Sequence, residues 1–161
     1  MIATVDVSTP TDRDVVLTRV FDAPRDLVFD ALTKPELLKR WYGPAGWSLD
    51  VCEVDLRVGG KWRYVCRQPG GKVVGQYGVY KEIVPGARIV NTEAWEDWEA
   101  AGETLCITEL VERGGKTTFT STIRFSSRQV RDIVMKAGLT SGAQESYDKL
   151  EQVLKAESGR R

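Results

Sequence analysis

The sequence contains no histidine. That excludes Ser-His-Asp and Cys-His nucleophilic systems, and it removes the commonest side-chain metal ligand. Any acid–base chemistry would fall to Asp, Glu, Tyr, Lys or Cys. Cysteine is sparse, with only Cys52, Cys66 and Cys106. An odd count without short spacing argues against a disulfide framework and against a zinc site. Each thiol lies in an apolar, strand-like pattern and reads as buried and reduced. Net charge is also lacking, because 23 basic residues meet 23 acidic ones. Phosphate binding needs a basic face, and here the bases are scattered apart from Arg160-Arg161, so nucleic acid is not an expected partner. No window approaches the length of a membrane span. The opening MIATVDVSTPTDRD has neither a basic start nor an apolar run of signal length. A cytoplasmic location is the resulting expectation, with no membrane partner, no metal, no cofactor and no assigned catalytic residue.

What is present is organised around the last long segment, Thr140 to Ala156. Ala143, Tyr147, Leu150 and Leu154 recur at helical spacing with Val153 beside them, which predicts one apolar stripe. Gln144, Asp148, Glu151, Gln152 and Lys155 are assigned to the opposite, solvated face, and Thr140 or Ser141 to the N-cap. Such a helix needs a surface to lie on. Most of residues 47 to 126 supplies one, as alternating strand patterns punctuated by Val58-Gly59-Gly60, Pro69-Gly70-Gly71, Pro85-Gly86 and Gly114-Gly115. Trp62, Tyr64 and Cys66 share one strand face, and Arg63, Val65 and Arg67 the other. Gly75 and Gly78 suggest a bend or bulge in a curved sheet. The stretch Glu96 to Gly102 reads as an exposed acidic loop.

Before this run, DVVLTRVF (Asp14 to Phe21) is β-branched and reads as a strand. Two short helices follow it. The first is expected to be capped by Asp22; the second begins at Pro35 and stops at Gly43-Pro44. Ser126-Ser127 is expected to cap one more, through Val130, Ile133 and Val134. Residues 1–12 form a loose or partly paired lead-in, and 13–157 a single domain. The expected class is α+β: a curved antiparallel sheet of about six or seven strands wrapped around a long C-terminal helix, a helix-grip arrangement.

Four pieces, in this order, carry a resemblance: RVFDAPRDLVFDALT, RWYGPAGW, VDLRVGGKWRY with GVYKEIVPGARIV, and GLTSGAQESYDKL. Together they resemble the Hsp90-ATPase-activator-like (AHSA1-like) branch of the START-like (SRPBCC, Bet v 1-like) superfamily. The resemblance implies a sheet wrapped around the C-terminal helix, with an apolar cavity between the two. It does not imply one activity, since superfamily members bind lipids, hormones or polyketides and some are cyclases or hydroxylases. The branch takes its name from a chaperone co-factor whose eukaryotic form carries an extra Hsp90-binding domain; no such domain is expected in a chain of this length. Where the family often has Gly-Trp at the start of the last helix, this chain has Gly142-Ala143, which would enlarge the cavity or reshape its mouth.

On that fold, the expected cavity residues are Trp41, Trp62, Tyr64, Tyr80, Trp95, Phe119, Ile123, Met135, Leu139, Ala143 and Tyr147. The polar anchors are Arg19, Arg63, Asn91 and Glu93. Glu93 with Asn91, and Glu53 with Asp55, share strand faces; an ordinary solvated face is the reading preferred for both pairs over an acid–base role. The expected function is binding of a small hydrophobic or amphipathic molecule without chemistry. The alternatives are a cyclase- or hydrolase-like enzyme using a buried Glu, Asp or Tyr, and an interaction protein with a protein partner or a second copy of itself.

Overall fold

The computed structural model describes residues 4–160. The first three residues of the lead-in, and Arg161, lie outside the described residues. In chain order the elements are β1 (Asp6–Ser8), β2 (Asp14–Phe21), α1 (Arg25–Thr33), α2 (Pro35–Trp41), β3 (Ser48–Val54), β4 (Lys61–Arg67), β5 (Val73–Val84), β6 (Arg88–Trp95), β7 (Thr104–Arg113), β8 (Lys116–Arg124), α3 (Arg128–Lys136) and α4 (Leu139–Ser158). The strands form one antiparallel sheet in the order β1-β2-β8-β7-β6-β5-β4-β3. Strands β3 to β8 run as a meander, and β2 joins it beside β8. This is the expected α+β helix-grip architecture with eight strands instead of six or seven. The extra strand is β1, which pairs Asp6 with Thr18 and Ser8 with Val16.

Local chemistry accounts for most of these elements. In β4 the side chains alternate, with Trp62, Tyr64 and Cys66 buried between more exposed neighbours. Gly114 and Gly115 both take positive φ, as a two-residue hairpin between β7 and β8 requires. Gly78 is required for another reason. A Cβ there would run into the Thr92 carbonyl and lie 2.7 Å from Trp62 Nε1, which donates to that same carbonyl at 3.2 Å. Ser127 caps α3 by accepting from Val130 N at 3.2 Å.

Several sequence expectations need correction. Helix α1 is preceded by Pro24 rather than capped by Asp22, and α4 starts from Gly138 at φ 103° with no side-chain cap. Strand β3 departs from the simple alternation expected across residues 47 to 126. A bulge between Leu49 and Val51 reverses its parity, so Leu49 and then Cys52 and Val54 turn toward the core. Residues 96 to 102 are exposed as expected except at Trp98 and Ala101, which tie the segment down. Ala101 is fully buried in a single 3-10 turn over Glu99–Ala101, its carbonyl accepts from the Ser126 hydroxyl, and Trp98 stacks on Trp95 with ring centres 5.5 Å apart.

The two halves of α4 meet different surroundings. Leu150, Val153 and Leu154, in the C-terminal half, are buried against α1 and α2. Burial at this level contributes about 1.5–3 kcal/mol per side chain. Leu139, Ala143 and Tyr147, in the N-terminal half, are only half-buried. Asp148, expected on the solvated face, is only half in solvent. It accepts from Arg19 at 2.8 Å and from Gln144 at 2.9 Å, while Gln144 also accepts from Val5 N at 2.8 Å. This network ties α4 to β2 and to the start of the sheet.

Candidate functional site

A hollow of about 480 Å³ lies between the N-terminal half of α4 and the concave face of the sheet. Strand alternation supplies its floor. Trp62 and Tyr64 of β4, Gln76 and Tyr80 of β5, Asn91, Glu93 and Trp95 of β6, Cys106 of β7, and Phe119 and Ile123 of β8 all line it. Helix spacing supplies its roof: Leu139, Gly142, Ala143, Ser146 and Tyr147 fall on one stripe of α4. The connection from α2 to β3 closes one side through Gly43, Pro44 and Trp47. That loop is strapped to α4: Ala45 N donates to Glu145 at 2.9 Å, and Lys149 Nζ donates to the Pro44 carbonyl at 3.2 Å.

The lining is dominated by aromatic rings in mutual contact. Ring centres are 4.7 Å apart for Trp62 and Tyr64, 4.9 Å for Tyr42 and Tyr64, and 5.1 Å for Phe119 and Tyr147. Trp41 bridges the two groups, 5.7 Å from Tyr42 and 6.4 Å from Tyr147. Its indole N–H is satisfied by the Ala31 carbonyl at 2.9 Å, so it offers the hollow a ring and no donor. Tyr42 donates to Gln76 at 3.0 Å. Burial pushes the phenols up: Tyr80 to about 12, and Tyr42, Tyr64 and Tyr147 well above their usual range. Burial likewise raises Cys66 to about 11 and Cys106 well above the usual thiol range. None of these groups is a ready nucleophile.

Glu93 is the exception to the apolar pattern. Among the described residues it is the only charged one of the lining, and no hydrogen bond or ion pair reaches its carboxylate. It lines the hollow and is not fully buried. Desolvation raises its pKa from 4.5 to about 7. Glu96, three residues on, shows the reverse. It points to the outer face, where hydrogen bonding by Arg63 lowers it. The preferred sequence reading, a solvated face for Glu93, is therefore corrected, while Glu53 and Asp55 are indeed exposed.

Of the expected cavity residues, ten line the hollow and Met135 does not. It packs instead in a second cluster with Val15, Leu17 and Phe125. Asn91 and Glu93 lie in the hollow, but two of the four anchors do not. Arg63 is on the outer face, paired with Glu96 and Glu53. Arg19 is buried beneath α4, held by Asp148 and stacked 5.2 Å from the Phe21 ring centre. Sequence reasoning missed Tyr42, Gln76 and Cys106. Gln76 was within reach, since it shares strand parity with Tyr80; Tyr42 follows a helix and carried no periodic signal.

The sequence pattern of the family described as Activator of Hsp90 ATPase homolog 1-like protein matches residues 22–155. The chain belongs to this family. Among solved structures, this Hsp90-activator-like chain is similar to a protein from Rhodobacter sphaeroides, with 25% identity and a TM-score of 0.88, covering 95% of this chain and 99% of that one. It is also similar to a protein from Nitrosomonas europaea, with 28% identity and a TM-score of 0.84 over 94% and 99% of the two chains. A protein from Silicibacter pomeroyi described as AHSA1 shares the fold at 21% identity, with a TM-score of 0.73 over 89% and 99%. No curated protein matches the chain. Among the described residues no helix is long and apolar enough to cross a membrane, and no cluster of acids and thiols could hold a metal ion.

Proposed function

We propose that this Hsp90-activator-like protein binds a small apolar or amphipathic molecule between the sheet and the N-terminal half of α4. The observation that carries this reading is the hollow itself: about 480 Å³, walled by aromatic rings, with a few polar side chains converging on it. The apolar body of a ligand lies against Trp62, Tyr64, Phe119 and Tyr147, and its polar group meets Asn91, Gln76 or Glu93. Native mass spectrometry combined with a melting screen against fatty acids, phenylalkyl compounds and aromatic acids tests this. One compound per chain, retained in the gas phase and raising the melting temperature, is the expected result. Failure of every compound of that size to do either rejects the proposal.

Glu93 favours a second reading, acid–base chemistry on the bound molecule. A carboxyl group that titrates near neutrality beside an apolar hollow is suited to moving protons. Mass spectrometry of the ligand after prolonged incubation decides it, because a compound recovered unchanged removes this second reading.

A further inference from the structure

The hollow holds one acid and no base. Glu93 faces it without a protein partner among the described residues, and three cations of the surrounding elements are engaged elsewhere. Arg19 is held by Asp148, Lys149 donates to the Pro44 carbonyl, and Arg63 is on the outer face. The Asn91 amide, on the same strand face, is turned to the Thr92 carbonyl at 3.1 Å. Directly across the ladder from Glu93 sits Thr104, fully buried, whose hydroxyl also lacks a hydrogen bond. Glu93 thus lacks a protein partner beside Thr104, whose hydroxyl is, with Arg19 Nε, one of two buried side-chain polar atoms left without a hydrogen bond among the described residues.

We propose that the occupant is a cationic amphipath, a protonated amine on an apolar or aromatic body, with its ammonium at Glu93 and its body among Trp41, Trp62, Tyr64 and Phe119. This deepens the binding reading above and rests on it. An ammonium brings three donors and the opposite charge to a carboxylate that has neither. The ring faces carry negative potential, so they attract a cation and hold an apolar chain equally well. A ligand carboxylate at the same place meets Glu93 as a like charge, or must wait for it to be protonated. A neutral alcohol gains a hydrogen bond and no more.

The pH signature is specific. The titratable groups that face Glu93 are Tyr42 from the α2–β3 connection, Tyr64 on β4, Cys106 on β7 and Tyr147 on α4. All four are pushed above their usual range and stay neutral between pH 5 and 9. Glu93 alone changes charge there, and an alkylamine keeps its proton throughout.

Isothermal titration of the full chain with phenylbutylamine, phenylbutanol and phenylbutyrate at pH 8 tests the proposal. The amine is expected to bind at least about tenfold tighter than the alcohol, with the carboxylate weakest. Amine affinity should rise about thirtyfold between pH 5.5 and 8 as Glu93 ionises, while alcohol affinity stays flat. Glu93→Gln should level the amine with the alcohol and flatten the pH dependence of amine binding; if that variant misfolds, the pH profile of the unaltered protein decides. Equal binding of amine and alcohol, or tightest binding of the carboxylate, overturns the cationic assignment and leaves the binding proposal standing. Absence of binding by all three overturns both.

Discussion

The interior has two ends that share one helix and little else. Under the C-terminal half of α4, Leu150 and Leu154 are completely shielded and close against α1, α2 and the Phe21 region. Under the N-terminal half, Leu139, Ala143 and Tyr147 keep part of their surface over a hollow that contains an unpaired acid. One end is closed by apolar packing. The other leaves space and one carboxylate unsatisfied. The comparison separates holding the fold from using it: stability is concentrated where the helix is anchored, and freedom to vary remains where it is not.

Substitutions can test how sharp that division is. The largest effect is expected from Leu154→Ala, at about 3 kcal/mol of stability lost in urea unfolding, since the site is sealed on all sides. Leu139→Ala, at the other end of the same helix, should cost under about 1 kcal/mol. Equal losses would erase the distinction.

Next comes Glu93. The folded protein keeps this proton over a range where the unfolded chain has released it. Its contribution is therefore fully present below about pH 4.5 and is lost as pH rises through about 7. Glu93→Gln should be about 3 kcal/mol more stable than the parent at pH 8.5 and nearly equal to it at pH 4. Stability curves of the two proteins that run parallel across this range would show that the acid is not desolvated.

A smaller loss, about 2 kcal/mol, is expected for Asp148→Ala, which leaves the Arg19 guanidinium buried without its acid. Because Asp148 is itself half in solvent, the loss should shrink in high salt. The smallest change in stability belongs to Ala143→Trp, within about 1 kcal/mol either way, because the indole enters space already open. Its effect on ligand retention should be large: native mass spectra should show the empty chain alone.

Most of the architecture was legible because it is periodic. The parity of Trp62, Tyr64 and Cys66, the 3.6 spacing of Ala143 to Leu154, and the glycine and proline turns each state a local preference that the fold obeys. What escaped was set by tertiary context. The bulge after Leu49 swaps which side of β3 meets the core, and neither parity alone could show the swap. Arg19 was read as an anchor for a ligand, yet its partner lies 129 residues away on α4, a distance no local pattern spans. Parity separates Glu93 from Glu96, but it does not say which face the sheet closes over or that an arginine waits on the other.

The strap between residues 43–47 and α4 bears on time as well as on shape. Ala45 and Lys149 fasten one wall of the chamber with two contacts that water can replace. A guest could therefore be held firmly by the rings and still leave at a pace governed by how often those two fastenings let go. Residence and grip would then answer to different residues, and a change at Lys149 could shorten the first while sparing the second.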